Sequence, residues 1–296
     1  MDPVIVITGG AELVLSDGAC ASDPLPYLRE RKSRKYLGLQ DALAVDVVGR
    51  ALDEAKLGTC LPPERTGIYI AVGYIPFVEE DIEPVLAHSR APDGTFSLEQ
   101  FSSGGYRRAH PLLAFRCLPN MPAYHVAANF GVRGPYAVHY PSAGEFYLAF
   151  EEARSALVEH RIDVAIVLGV AHQRNLLVEH HLGRIGTPVP AALIRDAGAS
   201  VILERLSDVG QRTAPIAELV DITTEYTPFD PMTQALAHRE RINGIDGGPL
   251  ELGPSSMLVH SLRALRSGAQ SVVHELEGRD GVSGRCTWRA MGCVSS

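Results

Sequence analysis

Five short apolar runs, separated by helical stretches, restrict the fold of this chain more than any other feature. They are VIVITG (4–9), RTGIYIAVG (65–73), YAVHY (136–140), DVAIVLGVA (163–171) and ASVILER (199–205), all β-type in composition. Helical periodicity lies between or beyond them at 40–57 (QDALAVDVVGRALDEAKL), 143–160 and 256–267. The alternation predicts an α/β fold. Residues 80–120 differ, because Pro84, Pro92, Gly94, the Ser-Ser-Gly-Gly at 102–105 and Pro111 interrupt every period. A long excursion with one helix is expected there, of the kind that often lines a site. No repeat of 20–50 residues and no low-complexity tract is visible.

The 296 residues suffice for one large or two small domains, with about three quarters of the extended surface buried. No apolar run approaches the roughly 20 residues of a membrane span, and the opening Met-Asp-Pro-Val-Ile-Val-Ile-Thr-Gly-Gly does not have the make-up of a signal peptide. A cytoplasmic protein without a membrane segment is expected. Cys20, Cys60, Cys117, Cys286 and Cys293 are scattered and odd in number, which argues for reduced thiols rather than a disulfide frame or a structural zinc site. The net charge of −8 disfavours nucleic acid, and the basic stretch from Arg29 to Lys35 reads as a solvated surface. His180 and His181 are adjacent and should point apart, so a surface pair is expected and no metal or cofactor.

GPYAVHYPSAGEFYLAF, residues 134–150, joins a short strand to an amphipathic helix through a Pro-Ser-Ala-Gly turn. Phe146, Leu148, Ala149, Phe150, Ala153 and Leu157 form one apolar stripe, with Glu151, Glu152, Arg154 and Glu159 mostly elsewhere. Ser142 then stands at or near the positive end of a helix. A strand, a tight turn and a helix is the geometry of a nucleophile elbow, although the GxSxG pattern is absent. The competing reading makes Ser142 a helix cap.

Several segments in order resemble the β-ketoacyl synthase branch of the thiolase superfamily. They are RKYLGLQDALAVDVVGRALDEAKL followed by RTGIYIAVG, then LPNMPAYHVAANFGVRGPYAV (118–138), HRIDVAIVLGVA (160–171) and GASVILERLSDVGQR (198–212). The resemblance implies a thiolase-like fold layered α/β/α/β/α and trimmed in its C-terminal half. A ketosynthase-like half over residues 1–230 and a shortened half over 231–296 would form one compact unit. In the family the fourth residue after the YAV-like strand is the catalytic cysteine, and counting His139, Tyr140 and Pro141 brings Ser142 to that place. A serine hydroxyl is far less acidic than a thiol and needs an adjacent base.

The second half departs further. The family's His-Gly-Thr-Gly-Thr loop is missing, as though deleted between about 230 and 250. SSMLVH (255–260) reads as a degenerate form of the second histidine motif, with His260 in its role. Alternatively, LGPSSMLVHSLRALRSG corresponds to the helix just after that motif, and this alignment fits better at both ends. EGRDGVSGRCTWR (277–289) is similar to the closing glycine-rich loop and last strand.

What the resemblance implies is a nucleophile-deficient homologue in type II polyketide or fatty-acyl assembly, similar to a chain-length factor. Its partners would be an active ketosynthase and an acyl carrier protein, in a hetero- or homodimer. Chain-length factors commonly carry glutamine where this chain has Ser142. That departure leaves open an acyltransferase or thioesterase-like enzyme acting on carrier-protein thioesters. Ser142 would be its nucleophile, His139, His125 or His172 its base, and Glu145 an orienting group. A stand-alone binding or scaffold protein is the third class. Tyr140 and Phe146 are pocket or interface candidates, with core packing as the alternative, and Asn120 and Met121 join the pocket through the asparagine-methionine-proline stretch.

Overall fold

The computed structural model describes residues 2–15, 22–77, 79–184, 189–228, 239–248, 250–278 and 281–291. The first half comprises β1 (Ile5–Val14), α1 (Leu39–Glu54), β2 (Thr66–Val72), α2 (Glu79–Ala87), α3 (Leu98–Ser103), α4 (Leu113–Cys117) and α5 (Met121–Phe130). It continues through β3 (Tyr136–His139), α6 (Glu145–Val158), β4 (Val164–Ala171), α7 (Leu176–Arg184), β5 (Ala197–Arg205) and α8 (Leu206–Val209). The second half holds β6 (Ala217–Tyr226), β7 (Arg239–Ile242), β8 (Ile245–Asp246), α9 (Ser256–Arg266), β9 (Ser271–Glu277) and β10 (Val282–Ala290).

The strands run in the order β3-β2-β4-β5-β1-β6-β10-β9-β7-β8. Numbered one to five within each half, both halves read 3-2-4-5-1, so the second half repeats the first in mirror order along the sheet. The seam is short: β1 and β6 pair only at Val6–Glu218 and Ile7–Ala217. β6, which lies within residues assigned to the first half from sequence, is hydrogen-bonded along its length to β10.

The helices α6 and α9 each follow the third strand of their half. Both contact strands of the first half, and each also contacts the second, α6 through β6 and β10 and α9 through β9. They form the central layer, where Phe146, Phe150, Leu258, Leu262 and Trp288 make one buried cluster. Tyr147 is wholly buried, whereas Leu148 is only half-buried, so the apolar stripe of α6 is rotated from the expected one. On the outer face of the first half, α1 buries Leu43, Val47, Val48 and Ala51. Gly9 permits that approach, since a Cβ there would stand 2.1 Å from the Ala51 carbonyl oxygen.

The trimming falls on the second half. Its β7–β8 hairpin turns on Asn243 and Gly244, both at positive φ, and is antiparallel, whereas β2 in the first half runs parallel to both neighbours. Among the described residues no helix covers the outer face of β6, β10, β9 and β7, where Thr223, Glu225, Arg239, Arg241, Glu275 and Arg285 line an open hollow of about 260 Å³. The fifth layer is therefore absent from the described residues. The excursion at 80–120 also differs from expectation, forming three short helices instead of one. One is started by Ser97, whose side chain accepts a hydrogen bond from the Gln100 N–H.

No helix among the described residues is long and apolar enough to cross a membrane. Cys60, Cys117 and Cys286 are free thiols, and Cys20 and Cys293 lie outside the described residues.

Candidate functional site

Ser142 stands on the bend between β3 and α6, after the cis Tyr140–Pro141 peptide. The N-cap of α6 is Gly144 and makes no side-chain cap bond, so Ser142 precedes the cap rather than forming it. Gly144 is required where it stands, because a Cβ there would come within 2.6 Å of the Val282 Cβ. The start of β10 thus packs on the elbow.

The elbow opens on a small cavity of about 90 Å³. Its wall is built by Ser142, Ala143 and Gly144, by Tyr74 after β2, by Gln173 after β4, and by Val178, His181 and Leu182 of α7. The second half adds Glu251, Gly253 and Gly278. Glu251 is 8% exposed and Gln173 5%, with Gln173 Nε2 3.5 Å from Glu251 Oε1. Gly253 keeps a positive φ, and a Cβ on it would meet Gln173 Nε2 at 2.6 Å.

None of the three histidines expected as a base for Ser142 lines this cavity. His139 Nδ1 is 3.7 Å from Glu145 Oε2 and its Nε2 3.4 Å from Glu152 Oε1. Hydrogen bonding to Glu145 holds its pKa above the ordinary value, against burial and with help from Glu152. Glu145 therefore serves His139. His125 on α5 lies 3.8 Å from Asp41, in a cleft of about 570 Å³ that it shares with Tyr36, Phe115, Met121 and Tyr124. Burial pushes His125 down to about 4 and Asp41 up to about 7, the latter against the hydrogen bond from the Gly38 N–H. Burial also lowers His172, against the pull of Asp196.

His260 is a mid-helix residue of α9, as the rival alignment has it. Its Nε2 lies 3.7 Å from Glu240 Oε2 and its ring stacks on His274 with centroids 6.2 Å apart. Neither ring lines the Ser142 cavity. Phe146 is wholly buried against Phe150 and belongs to the core, correcting its place among pocket candidates. Tyr140 packs edge-on against Tyr74 at 6.0 Å, and its hydroxyl accepts a hydrogen bond from the Ile75 N–H at 3.4 Å. Asn120 lines a second cleft of about 330 Å³ beside β3, with Tyr124, Arg133 and Tyr136. Met121 lines the larger cleft.

Sequence reasoning missed His181, Glu251, Gln173 and Tyr74. The adjacency of His180 and His181 did hold the signal, since only one of two neighbouring helix residues can face inward: His180 is exposed and His181 half-buried. Among the described residues no thiol lines the cavity. Burial pushes the Cys117 thiol up to about 11 and lifts Cys286 well above its ordinary value. Neither supplies a thiolate near neutral pH.

Residues 14–186 match the family described as Beta-ketoacyl synthase, N-terminal domain, more than half of the chain. No curated protein matches in sequence. The fold is similar to a chain of a type II polyketide synthase acyl-carrier protein in complex with its ketosynthase bound to the hexaketide. There the TM-score is 0.73 at 14% identity, over 98% of this chain and 100% of that one. A β-ketoacyl synthase from Burkholderia phymatum STM815 gives a TM-score of 0.72 at 12% identity over 99% and 100%. The ishigamide ketosynthase/chain length factor gives 0.67 at 14% over 99% and 100%.

Proposed function

The chain belongs to the β-ketoacyl synthase family, and from that premise we propose that it is a non-elongating member, the chain-length-factor-like partner of an active ketosynthase in type II polyketide assembly. One observation carries the reading. The elbow cavity presents a serine hydroxyl where the family has its cysteine, and no histidine from the second half lines it among the described residues. Condensation by the family's chemistry needs both. Chain-length-factor and carrier-protein complexes among the solved structures of similar fold agree with this reading.

Two surfaces fit the partners. β3 ends the sheet, Tyr136 on it is 68% exposed, and the cleft of about 330 Å³ lies alongside. An open strand edge with an aromatic groove suits a second ketosynthase-like subunit. The exposed cations Arg31, Lys32, Arg34 and Lys35 make no ion pair among the described residues, in a chain of net charge −8. They suit an acidic carrier protein.

Coexpression with a type II ketosynthase and its carrier protein tests the reading. A stable complex, and elongation that requires this chain yet survives Ser142→Ala, is expected. Elongation by this chain alone, or no complex with any ketosynthase tried, overturns it.

A further inference from the structure

We propose that the open outer face of the second half is a self-complementary surface on which a second copy of this chain docks, sheet on sheet, about a two-fold axis parallel to the strands. This goes beyond the partner-subunit reading, which uses β3 at the opposite end of the sheet, and does not require it. Among the described residues no helix lies over β6, β10, β9 and β7. The strand register orders the side chains that line the hollow into two rows across these four strands. One row runs Thr223, Arg285, Glu275, Arg241, and the next runs Glu225, Ser283, Glu277, Arg239. The residues that alternate with them, Ile222, Cys286, Leu276 and Glu240 among them, are buried, so both rows stand on the outer face. Solvation alone asks only for polar residues on such a face, not for any order among them.

The order is the one a two-fold axis requires. An axis along the strands, between β10 and β9, exchanges β6 with β7 and β10 with β9 and sets each row opposite itself. Arg285 then faces Glu275 of the second copy and Glu225 faces Arg239, while Arg241 meets Thr223 and Glu277 meets Ser283. Each contact occurs twice, and none sets like charges together. An axis across the strands would exchange the rows instead, placing Glu275 against Glu277 and Arg241 against Arg239, which is repulsive. The axis along the strands also gives the aligned arrangement in which sheets pack face to face about 10 Å apart, a gap that one Arg and one Glu side chain bridge end to end. Within one copy Arg285 already lies 3.3 Å from Glu275 and Arg239 3.8 Å from Glu277, so docking joins these pairs into networks of alternating charge. Four strands about 4.8 Å apart cover roughly 1,000 Å² over the two copies, the size of a weak, reversible association.

The full-length chain, without a ketosynthase and carrying Tyr136→Lys to oppose pairing through β3, is followed by sedimentation velocity over micromolar to millimolar concentrations. At about 0.15 M salt, where the field of the net charge of −8 is screened beyond about 8 Å, a reversible dimer is expected at the upper concentrations. Arg285→Glu and Glu275→Arg should each weaken self-association about tenfold or more, since each sets like charges across the axis. Mixed in equal amounts, the two variants should form a heterodimer that matches the parent dimer within about threefold, because the mixture restores opposite charges at both contacts. Recovery on mixing is specific to contact between copies: the Arg285–Glu275 pair inside each copy is broken in both variants. Melting curves verify the fold of each variant, and Glu225→Arg with Arg239→Glu repeats the exchange on the other row if either of the first two does not fold. A monomer at every concentration, self-association indifferent to the reversals, or a mixture no tighter than the variants alone overturns the proposal. None of these outcomes bears on complex formation with a ketosynthase.

Discussion

His274 on β9 uses both ring nitrogens, and one of them joins the two halves of the molecule: Nε2 stands 2.6 Å from Glu240 Oε1 on β7 of the same half, and Nδ1 stands 2.6 Å from the Tyr147 hydroxyl on α6 of the first half. Ser256 at the start of α9 donates to the other Glu240 oxygen at 2.8 Å, and His260 stacks on His274. His274 and Tyr147 are wholly buried and Glu240 is 7% exposed. The Tyr147 ring occupies the space above Gly284, where a Cβ would fall 2.3 Å from the ring. The helix that begins at the elbow is thus tied to the second half of the sheet by a polar chain.

That chain sets a dependence on pH. Burial raises the Glu240 carboxyl, but hydrogen bonds and charge from His274, His260 and Ser256 outweigh it and leave its pKa at about 2, below the ordinary 4.5. A carboxyl lowered on folding contributes stability that is present above about 4.5 and lost as pH falls toward 2. Urea midpoints should drop steeply between pH 5 and pH 3, and Glu240→Gln should flatten that drop. His274→Ala leaves a buried carboxylate without its main partner and should cost about 3–5 kcal/mol at pH 7. Tyr147→Phe should cost about 1–3 kcal/mol.

Asp41 and His125 carry opposite signs, Asp41 against that of Glu240 and His125 with it. Asp41, raised by burial to about 7 from 3.8, keeps its proton on folding, so its contribution weakens as pH rises from about 4 to 7. His125, lowered by burial to about 4 from 6.5, weakens the fold as pH falls through that window. The two offset each other at mildly acid pH. Asp41→Asn retains an oxygen that can accept from the Gly38 N–H, now 2.7 Å away, without the buried charge. Its melting temperature should exceed the native value at pH 8 and not at pH 4. A lower value at pH 8 would show that the carboxylate is stabilising there.

The first half was legible in the sequence because its sheet is covered on both faces. β2, β4 and β5 are buried at every position and so read as continuous apolar runs. The second half was not, because its outer face is open. In β9 buried positions alternate with exposed or half-buried ones, and in β6 Asp221, Thr223 and Glu225 interrupt the apolar pattern. Ser142 was found from a local strand-turn-helix sequence. His181 and Glu251 were not, since only the packing of α7 and the α9 approach against the elbow gives them a common wall.

The open edge of β3 predicts an association phenotype without a folding phenotype. Tyr136 is 68% exposed and leads the edge strand, so Tyr136→Lys removes little core packing. A charge on an edge strand opposes pairing with another strand. The melting temperature of the isolated chain should stay within about 2 °C, corresponding to under about 0.5 kcal/mol for a surface change. Dissociation of the chain from a ketosynthase partner, followed by analytical ultracentrifugation, should strengthen by tenfold or more. Unchanged association would remove β3 from the interface.

Gly144 tests whether the elbow is one unit with the last strand. It holds the N-cap of α6 and lies against Val282, where β10 begins, with room for hydrogen but not for a methyl group. Gly144→Ala must push the turn and the start of β10 apart, at about 1–3 kcal/mol for overpacking. Because Val282 is the contact, Val282→Ala, which removes the Cγ1 that a Gly144 Cβ would meet at 3.0 Å, should relieve only part of that cost. The Val282 Cβ at 2.6 Å and its carbonyl oxygen at 2.9 Å remain in the double variant. The two substitutions should therefore be non-additive in urea unfolding, with the double variant more stable than the sum of the single effects. Strict additivity would mean that the elbow yields in some other direction and that β10 does not brace Ser142.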